Sequence, residues 1–239
     1  MKRISLLVIV AFLLSSCHYF SGRRVHGDGN VVEQSRSVSG FKSIDVGGAV
    51  KVYVKQDSVF SVRVRIDNNL QEYIDVYREG EVLHIHQRNN TSLDATESIK
   101  VFVSAPSFED FDASGACDII SEGRISSDKR IGVDVSGASN VDMDIKAPKT
   151  EIDASGAATI KLKGETKDLS VDGSGSTNIR AFDLLTENTD VHLSGAGDAQ
   201  VFASVKIFAN ISGAASVRYK GNASVSSDIS GAGSVKKVD

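Results

Sequence analysis

The 239-residue sequence has no tryptophan, two prolines and two cysteines, and only 6% of its residues are aromatic. Two cysteines cannot build the multiple disulfides of a small secreted scaffold, so a packed core must hold the fold. Two prolines leave long stretches that can form uninterrupted strands. The shortage of aromatic rings argues against a catalytic cleft that stacks on sugars.

A net positive charge and the common catalytic motifs are also missing. The formal net charge is −4 at pH 7, so we expect no nucleic-acid partner. The sequence contains no G-x-S-x-G elbow, no P-loop and no G-x-G-x-x-G turn, which argues against the enzyme classes that use them. We expect no cofactor, no metal and no catalytic residue.

A single long apolar run is present, and it lies at the N-terminus. Residues 4–14 follow two basic residues and form a run too short for a membrane span, which is typical of a secretory signal. The letters LSSC at 14–17 resemble the lipobox of bacterial lipoproteins, which implies cleavage before Cys17 and lipidation of that cysteine. We assign residues 1–16 to a signal peptide and 17–39 to the lipidated cysteine and a tether.

The tether predicts where the protein is held. Cys17 is followed by His18, not by the Asp that in many proteobacteria retains lipoproteins at the inner membrane. The letters HYFSGRR at 18–24 are basic and differ from the acidic export tags of Bacteroidetes surface lipoproteins. We expect a cell-envelope protein anchored by lipid in the outer membrane and facing the periplasm rather than the cell surface.

The C-terminal half repeats one short pattern. A serine followed by glycine recurs at steps of 22, 19, 19, 20, 18 and 18 residues, at Ser114, Ser136, Ser155, Ser174, Ser194, Ser212 and Ser230. A period near 20 indicates a stacked repeat architecture. When the copies are aligned on the serine, positions −3, −1, +5 and +7 are mostly apolar and the positions between them are mostly polar, so each copy predicts strand, tight turn and strand.

Stacking these copies gives an all-β fold, a parallel β-helix or β-solenoid with tight Ser-Gly turns. A glycine in the turn can adopt positive φ without a Cβ clash. The left-handed hexapeptide helix is disfavoured because Ile152 and Ile160 are eight residues apart, not six. We assign residues 106–239 to a solenoid of about seven rungs. Residues 40–105 alternate apolar and polar without the Ser-Gly repeat and predict an antiparallel β-meander that precedes it.

These residues resemble a known family. The opening GDGNVVEQSRSVSGFKSIDVGGAVKVYV at 27–54, a later SAP at 104–106 and the recurrent SGA or GSG turns are similar to the putative auto-transporter adhesin, head GIN domain family. The resemblance covers residues 27–239. It implies a pectin-lyase-like β-helix with turns at the SG motifs, found mostly in Bacteroidetes-type envelopes, with adhesion suggested and no enzymatic activity assigned.

Position −2 of the repeat is a candidate surface site. We call this set the carboxylate column; its members are Asp112, Asp134, Asp153, Asp172, His192, Asn210 and Asp228. Stacked aspartates resemble calcium-binding β-rolls, but the nine-residue Gly-Gly-x-Gly-x-Asp repeat of those rolls is absent. The alternative is structural: each Asp points outward and accepts hydrogen bonds from turn amides.

Histidines offer two weaker candidates. His192 interrupts the column between Asp172 and Asn210, and an acid beside a base is a minimal acid–base arrangement. His84 and His86 flank one residue of a predicted strand and share a face, so they could hold a metal. Because no third ligand is evident in the sequence, we interpret this pair as facing solvent.

Two function classes fit the sequence. The first is a non-catalytic, lipid-anchored, adhesin-like or scaffold protein of the envelope, whose uniform face binds a glycan or an envelope protein. The alternative is a carbohydrate-active β-helix enzyme, a lyase or hydrolase, which needs a local cluster of carboxylates with Arg or Lys. The uniform columns favour the first class, and the sequence leaves the oligomeric state open.

Overall fold

The computed structural model describes residues 23–239, so the predicted signal peptide and Cys17 lie outside the described residues. Over that range the regular structure is almost all β-strand, with one 3₁₀ helix at Asn68–Tyr73. The strands before residue 106 are β1 (Arg23–His26), β2 (Val31–Arg36), β3 (Ser43–Gly48), β4 (Val50–Gln56), β5 (Ser61–Asp67), β6 (Ile74–Glu79), β7 (Val82–Gln87), β8 (Thr91–Asp94) and β9 (Ile99–Ala105).

The repeat region supplies twelve more strands within the described residues. They are β10 (Asp110–Gly115), β11 (Asp118–Ser126), β12 (Arg130–Val135), β13 (Asn140–Ala154), β14 (Thr159–Gly175), β15 (Asn178–Leu185), β16 (Asn188–Gly195), β17 (Asp198–Phe202), β18 (Lys206–Gly213), β19 (Ser216–Lys220), β20 (Ser224–Gly231) and β21 (Ser234–Lys237). β13 and β14 are long because each continues around the corner opposite the Ser-Gly turns.

The repeats form a two-faced parallel stack, which confirms the predicted solenoid. Strands that enter the Ser-Gly turns pair in one row, from β10 through β12, β13, β14, β16 and β18 to β20. Strands that leave the turns pair in a second row, from β11 through β13, β14, β15, β17 and β19 to β21. Each rung thus adds one strand to each face.

The core lies between the two rows and is built from the apolar columns. Ile152 at position −3 and Ile160 at position +5 are both buried, as are their counterparts in most other rungs. Because side chains alternate faces along a strand, the residues between these columns point to solvent. Cys117 is also buried there as a free thiol, and burial raises its pKa.

The parallel stack begins before residue 106. Within the segment expected to be an antiparallel meander, β3 pairs in parallel with β10 and β4 with β11. β7 and β9 then pair in parallel with the other edges of β3 and β4. The stack therefore has a further rung, whose turn is formed by Gly47-Gly48-Ala49. Glycine replaces serine in this turn, and an insertion separates it from the next, so a search on Ser-Gly spacing does not find it.

The two ends of the stack differ. At the N-terminal end, β2 and β5 add antiparallel strands to β9, and β6 adds one to β7. At the C-terminal end, β20 is exposed along its whole length, and Val225 and Ile229 are 39% and 40% exposed. No helix in residues 23–239 is long and apolar enough to cross a membrane.

Candidate functional site

The Ser-Gly turns stack into one continuous edge, which we call the SG edge. At each turn, the amide after the glycine donates to the glycine carbonyl of the preceding rung; Ala157 N to Gly137 O is 2.8 Å and Ser176 N to Gly156 O is 2.8 Å. The same bond runs from Ala116 to Gly48 at the first turn. The backbone alone therefore fixes the spacing of side chains along this edge.

Glycine is required in these turns for two reasons. Gly175 has φ +84°, a conformation that L side chains rarely adopt. A Cβ at Gly175 would also lie 2.7 Å from the carbonyl oxygen of Gly156. Each turn can therefore approach the preceding one at strand spacing only when the later turn carries glycine.

The carboxylate column lies in register along the SG edge. Successive strand pairings place each member beside the next, in the order Asp112, Asp134, Asp153, Asp172, His192, Asn210 and Asp228. The first six line an open groove of about 600 Å³, together with the serines of the turns. Asp228 lies one rung beyond this groove. The structure thus brings the predicted column together as one surface.

The groove starts one rung earlier than the sequence predicted. Asp45 pairs with Asp112 across β3 and β10 and lines the same groove. It stands two residues before Gly47, the same −2 position as the other aspartates. The signal was present in the sequence, because the letters IDVGGAVKV at 44–52 match the repeat once glycine is accepted in the serine position.

Close stacking of carboxylates changes the acidity of this groove. Burial, followed by the charge of Asp134, raises the pKa of Asp112 to about 6. Burial and the neighbouring carboxylates of Asp134 and Asp172 raise the pKa of Asp153. Parallel strands hold such groups about 4.8 Å apart, where each negative charge disfavours the next. The groove therefore attracts hydrogen-bond donors and cations.

The aspartates of the column do not hold the turns by accepting hydrogen bonds from turn amides, which is the structural role that the sequence also allowed. Across residues 23–239 the turn amides donate to backbone carbonyls of the preceding rung, as Ser136 N does to Ala113 O at 2.8 Å. Position +4 shows the contrast: Asp118 accepts from Asn140 at 2.9 Å and pairs with Lys51 at 3.1 Å. The carboxylates of the column are thus more available to a ligand than the carboxylate of Asp118 at position +4.

His192 lies in the groove lining but is paired away from the column. Its Nε2 is 3.0 Å from Oδ1 of Asp190, two residues earlier on the same strand, and its side chain is 40% exposed. Its ring lies 5.8 Å from that of Phe208. The candidate acid–base contact with Asp172, which the sequence offered only weakly, is thus replaced by an exposed pair on one strand.

A third ligand accompanies the histidine pair that the sequence left without one. His84 Nδ1 is 2.8 Å and His86 Nε2 is 3.1 Å from the same oxygen of Asp45. One potential ligand atom from each of these side chains lies within 4.8 Å of the others. The sequence alone does not reveal Asp45 as a third ligand, because Asp45 and His84 are 39 residues apart and meet only through the parallel pairing of β3 with β7.

Solved structures share this fold. The structure of a "putative adhesin" from Bacteroides fragilis has a TM-score of 0.85 at 21% identity and covers 90% of this chain and 100% of that chain. A "putative lipid binding protein" from Parabacteroides distasonis has a TM-score of 0.69 at 24% identity, covering 91% and 100%. A "putative adhesin" from the same species has a TM-score of 0.65 at 25% identity, covering 90% and 100%. No curated protein sequence matches the chain.

The family comparison covers most of the described chain. The sequence profile described as "Putative auto-transporter adhesin, head GIN domain" matches residues 40–223, a range that includes every residue lining the groove. The match and the fold shared with the solved structures agree on one assignment. The chain belongs to the putative auto-transporter adhesin, head GIN domain family.

Proposed function

We propose that this protein is a non-catalytic, adhesin-like protein of the cell envelope that binds a hydroxyl-rich or amine-bearing glycan along the SG edge. The observation that carries the proposal is the groove, which offers carboxylates and serine hydroxyls at regular spacing over several rungs. Carboxylates accept hydrogen bonds, and sugar hydroxyls and ammonium groups donate them. An anionic glycan would be repelled by the same groups. An envelope protein with a basic segment is the alternative partner.

The composition of the groove supports binding over catalysis. Among the described residues, the groove lining contains no lysine and no arginine, whereas a lyase or hydrolase on a β-helix needs a local mixed cluster. The family and two of the three similar structures carry adhesin names, which agrees with a binding role.

The proposal includes an anchor in the membrane. The LSSC letters at 14–17 support lipidation of Cys17, and two or three acyl chains give stable anchoring because each buried CH₂ contributes about 0.8 kcal/mol. The adhesin family favours an envelope location, and the basic tether favours the periplasmic face of the outer membrane. A Cys17→Ser variant should leave the membrane fraction. If intact cells expose the wild-type protein to added protease, the periplasmic placement is wrong.

A glycan array tests the binding role. The wild-type protein should bind neutral or amino glycans, and the double variant Asp134→Asn, Asp153→Asn should lose that binding. The matched control changes the same charge outside the groove, at Asp128→Asn and Asp183→Asn, where both residues are exposed. Equal binding by both double variants, or binding only to acidic glycans, would contradict the proposal.

A further inference from the structure

We propose that Asp45, His84 and His86 form a binding site for a transition-metal ion of the Zn²⁺ type at the N-terminal end of the groove. The three residues come from two strands: Asp45 from β3, and both histidines from β7. This inference does not depend on the proposed glycan binding, since it rests on the geometry of these three side chains.

The donor atoms are close to a metal-binding arrangement. Asp45 Oδ2 is 2.8 Å from His84 Nδ1 and 3.1 Å from His86 Nε2. Tetrahedral Zn²⁺ with ligand bonds of about 2.1 Å separates its donor atoms by about 3.4 Å. The carboxylate oxygen therefore has to withdraw from each nitrogen by a fraction of an ångström, and the two histidine nitrogens, which lie within 4.8 Å of each other, have to settle at the same spacing of about 3.4 Å. The side chains are 18% to 38% exposed, so an ion can enter from solvent.

His86 has an unused ring nitrogen at this place. Its Nε2 is shielded from solvent and has no hydrogen-bond partner, because its position 3.1 Å from the Asp45 oxygen does not meet the angle of a hydrogen bond. Buried polar atoms without partners are uncommon and call for an explanation such as an ion. A metal ion between the Asp45 carboxylate and His86 Nε2 would be coordinated by both and would give the nitrogen a partner.

The fold makes room for His86 at this rung. Gly47 faces His86 across the pairing of β3 with β7, in the column that holds serine in the later rungs. A Cβ at Gly47 would lie 3.1 Å from His86 Nδ1, so a larger residue would crowd the imidazole. On the other side, Tyr77 stacks on His84 with ring centroids 4.9 Å apart. These contacts hold both rings toward Asp45.

The donor set selects the class of ion. Imidazole nitrogens with one carboxylate suit Zn²⁺, Ni²⁺ or Cu²⁺, whereas Ca²⁺ and Mg²⁺ prefer oxygen ligands. Three protein ligands leave a coordination position open. Asp45 also lines the groove, and the neighbouring Asp112 adds negative charge that favours a cation.

His192 provides an internal comparison. It lies in the same column and pairs with a carboxylate, Asp190, at 3.0 Å. It has no second histidine beside it: its neighbours in register are Asp172 and Asn210. A single His–Asp contact should not hold the ion, so this pair serves as a matched control.

The test is titration of Zn²⁺ into the purified full-length chain by calorimetry. All proteins carry Cys17→Ser, so that the thiol of Cys17 cannot bind the ion. The remaining cysteine, Cys117, is buried. We expect one Zn²⁺ per chain and a rise in Tm on binding. His86→Gln and Asp45→Asn should each weaken the affinity at least about tenfold, the scale seen when even supporting residues of metal sites are removed. His192→Gln should bind as the parent does.

Cobalt absorption gives an independent readout of the ligands. Co²⁺ should show visible bands of a nitrogen- and oxygen-ligated ion, without the charge-transfer band of a thiolate. Circular dichroism verifies that each variant is folded, and if Asp45→Asn does not fold, His86→Gln decides alone. The proposal is overturned if Zn²⁺ does not bind at one equivalent, if His86→Gln binds like the parent, or if His192→Gln loses affinity equally.

Discussion

Replacing Gly175 by alanine tests whether the stacked turns hold the solenoid together. Gly175 has φ +84°, and a Cβ there would lie 2.7 Å from the carbonyl oxygen of Gly156. That carbonyl accepts the hydrogen bond from Ser176 N at 2.8 Å. The added methyl group therefore pushes on the same oxygen that joins this rung to the one before it.

The expected loss in the free energy of unfolding of Gly175→Ala has two parts. Placing alanine in the left-handed region costs about 1 to 2 kcal/mol. Forcing the methyl group against a backbone carbonyl, which cannot move without weakening its hydrogen bond, costs about 1 to 3 kcal/mol more. Gly175→Ala should therefore lower the free energy of unfolding by about 2 to 5 kcal/mol, measured by urea denaturation.

Gly29 supplies the control because only the first part applies to it. Its φ is +77°, but nothing lies within 4 Å of a Cβ built there. Gly29→Ala should thus cost about 1 to 2 kcal/mol. If both variants lose the same stability, the close approach of the turns contributes nothing measurable, and the reasoning about the SG edge is refuted.

Four further predictions concern the end of the stack, the groove, the histidine in it and calcium. Replacing Lys236 and Lys237 by valine should promote end-to-end association, because β21 leaves an exposed edge; a variant that stays monomeric by light scattering would count against this. The folded-state pKa of Asp112, about 6, lies above its ordinary 3.8, so the stability that its protonated form contributes is lost as the pH rises through about 6. Asp112→Asn should therefore raise Tm at about pH 7 and change it much less at about pH 4, and equal shifts at both pH values would be inconsistent with a raised pKa. His192→Ala should leave Tm unchanged because the side chain is 40% exposed, and calcium should leave the wild-type Tm unchanged; a clear shift in either scan contradicts the expectation.

The sequence predicts the repeat region well because its information is local. Position −3 of each copy, such as Ile152, alternates with position −2, such as Asp153, and this period of two fixes which side chains enter the core. The Ser-Gly turn fixes where the chain reverses. From those two facts the parallel rungs and the carboxylate column follow without knowledge of distant contacts.

The N-terminal segment could not be predicted in the same way. β3 and β4 join the parallel stack, and it is β7 and β9, not the next strand β5, that pair in parallel with their other edges and form the rung beneath. Alternation within a strand does not specify parallel or antiparallel pairing, so a meander was the natural expectation. The 3₁₀ helix at Asn68–Tyr73, in which Leu70 and Gln71 are buried, is too short to show a helical period in the sequence.

The candidate metal site depends on the same non-local pairing. His84 and His86 share a face because they are two residues apart, which the sequence shows. Asp45 reaches them only because β3 and β7 pair in parallel with Asp45 opposite His84. A third ligand set by strand order rather than by spacing is not visible in a single sequence.

Carboxylate labelling with and without ligand tests most directly whether the groove is the binding surface. Carbodiimide and an amine modify exposed carboxylates, and mass spectrometry reports the rate at each residue. With a glycan identified on the array, Asp134, Asp153 and Asp172 should label more slowly, while Asp128 and Asp183 should label at unchanged rates. Protection of Asp128 or Asp183 with no change at the three groove aspartates would place binding elsewhere and contradict this account.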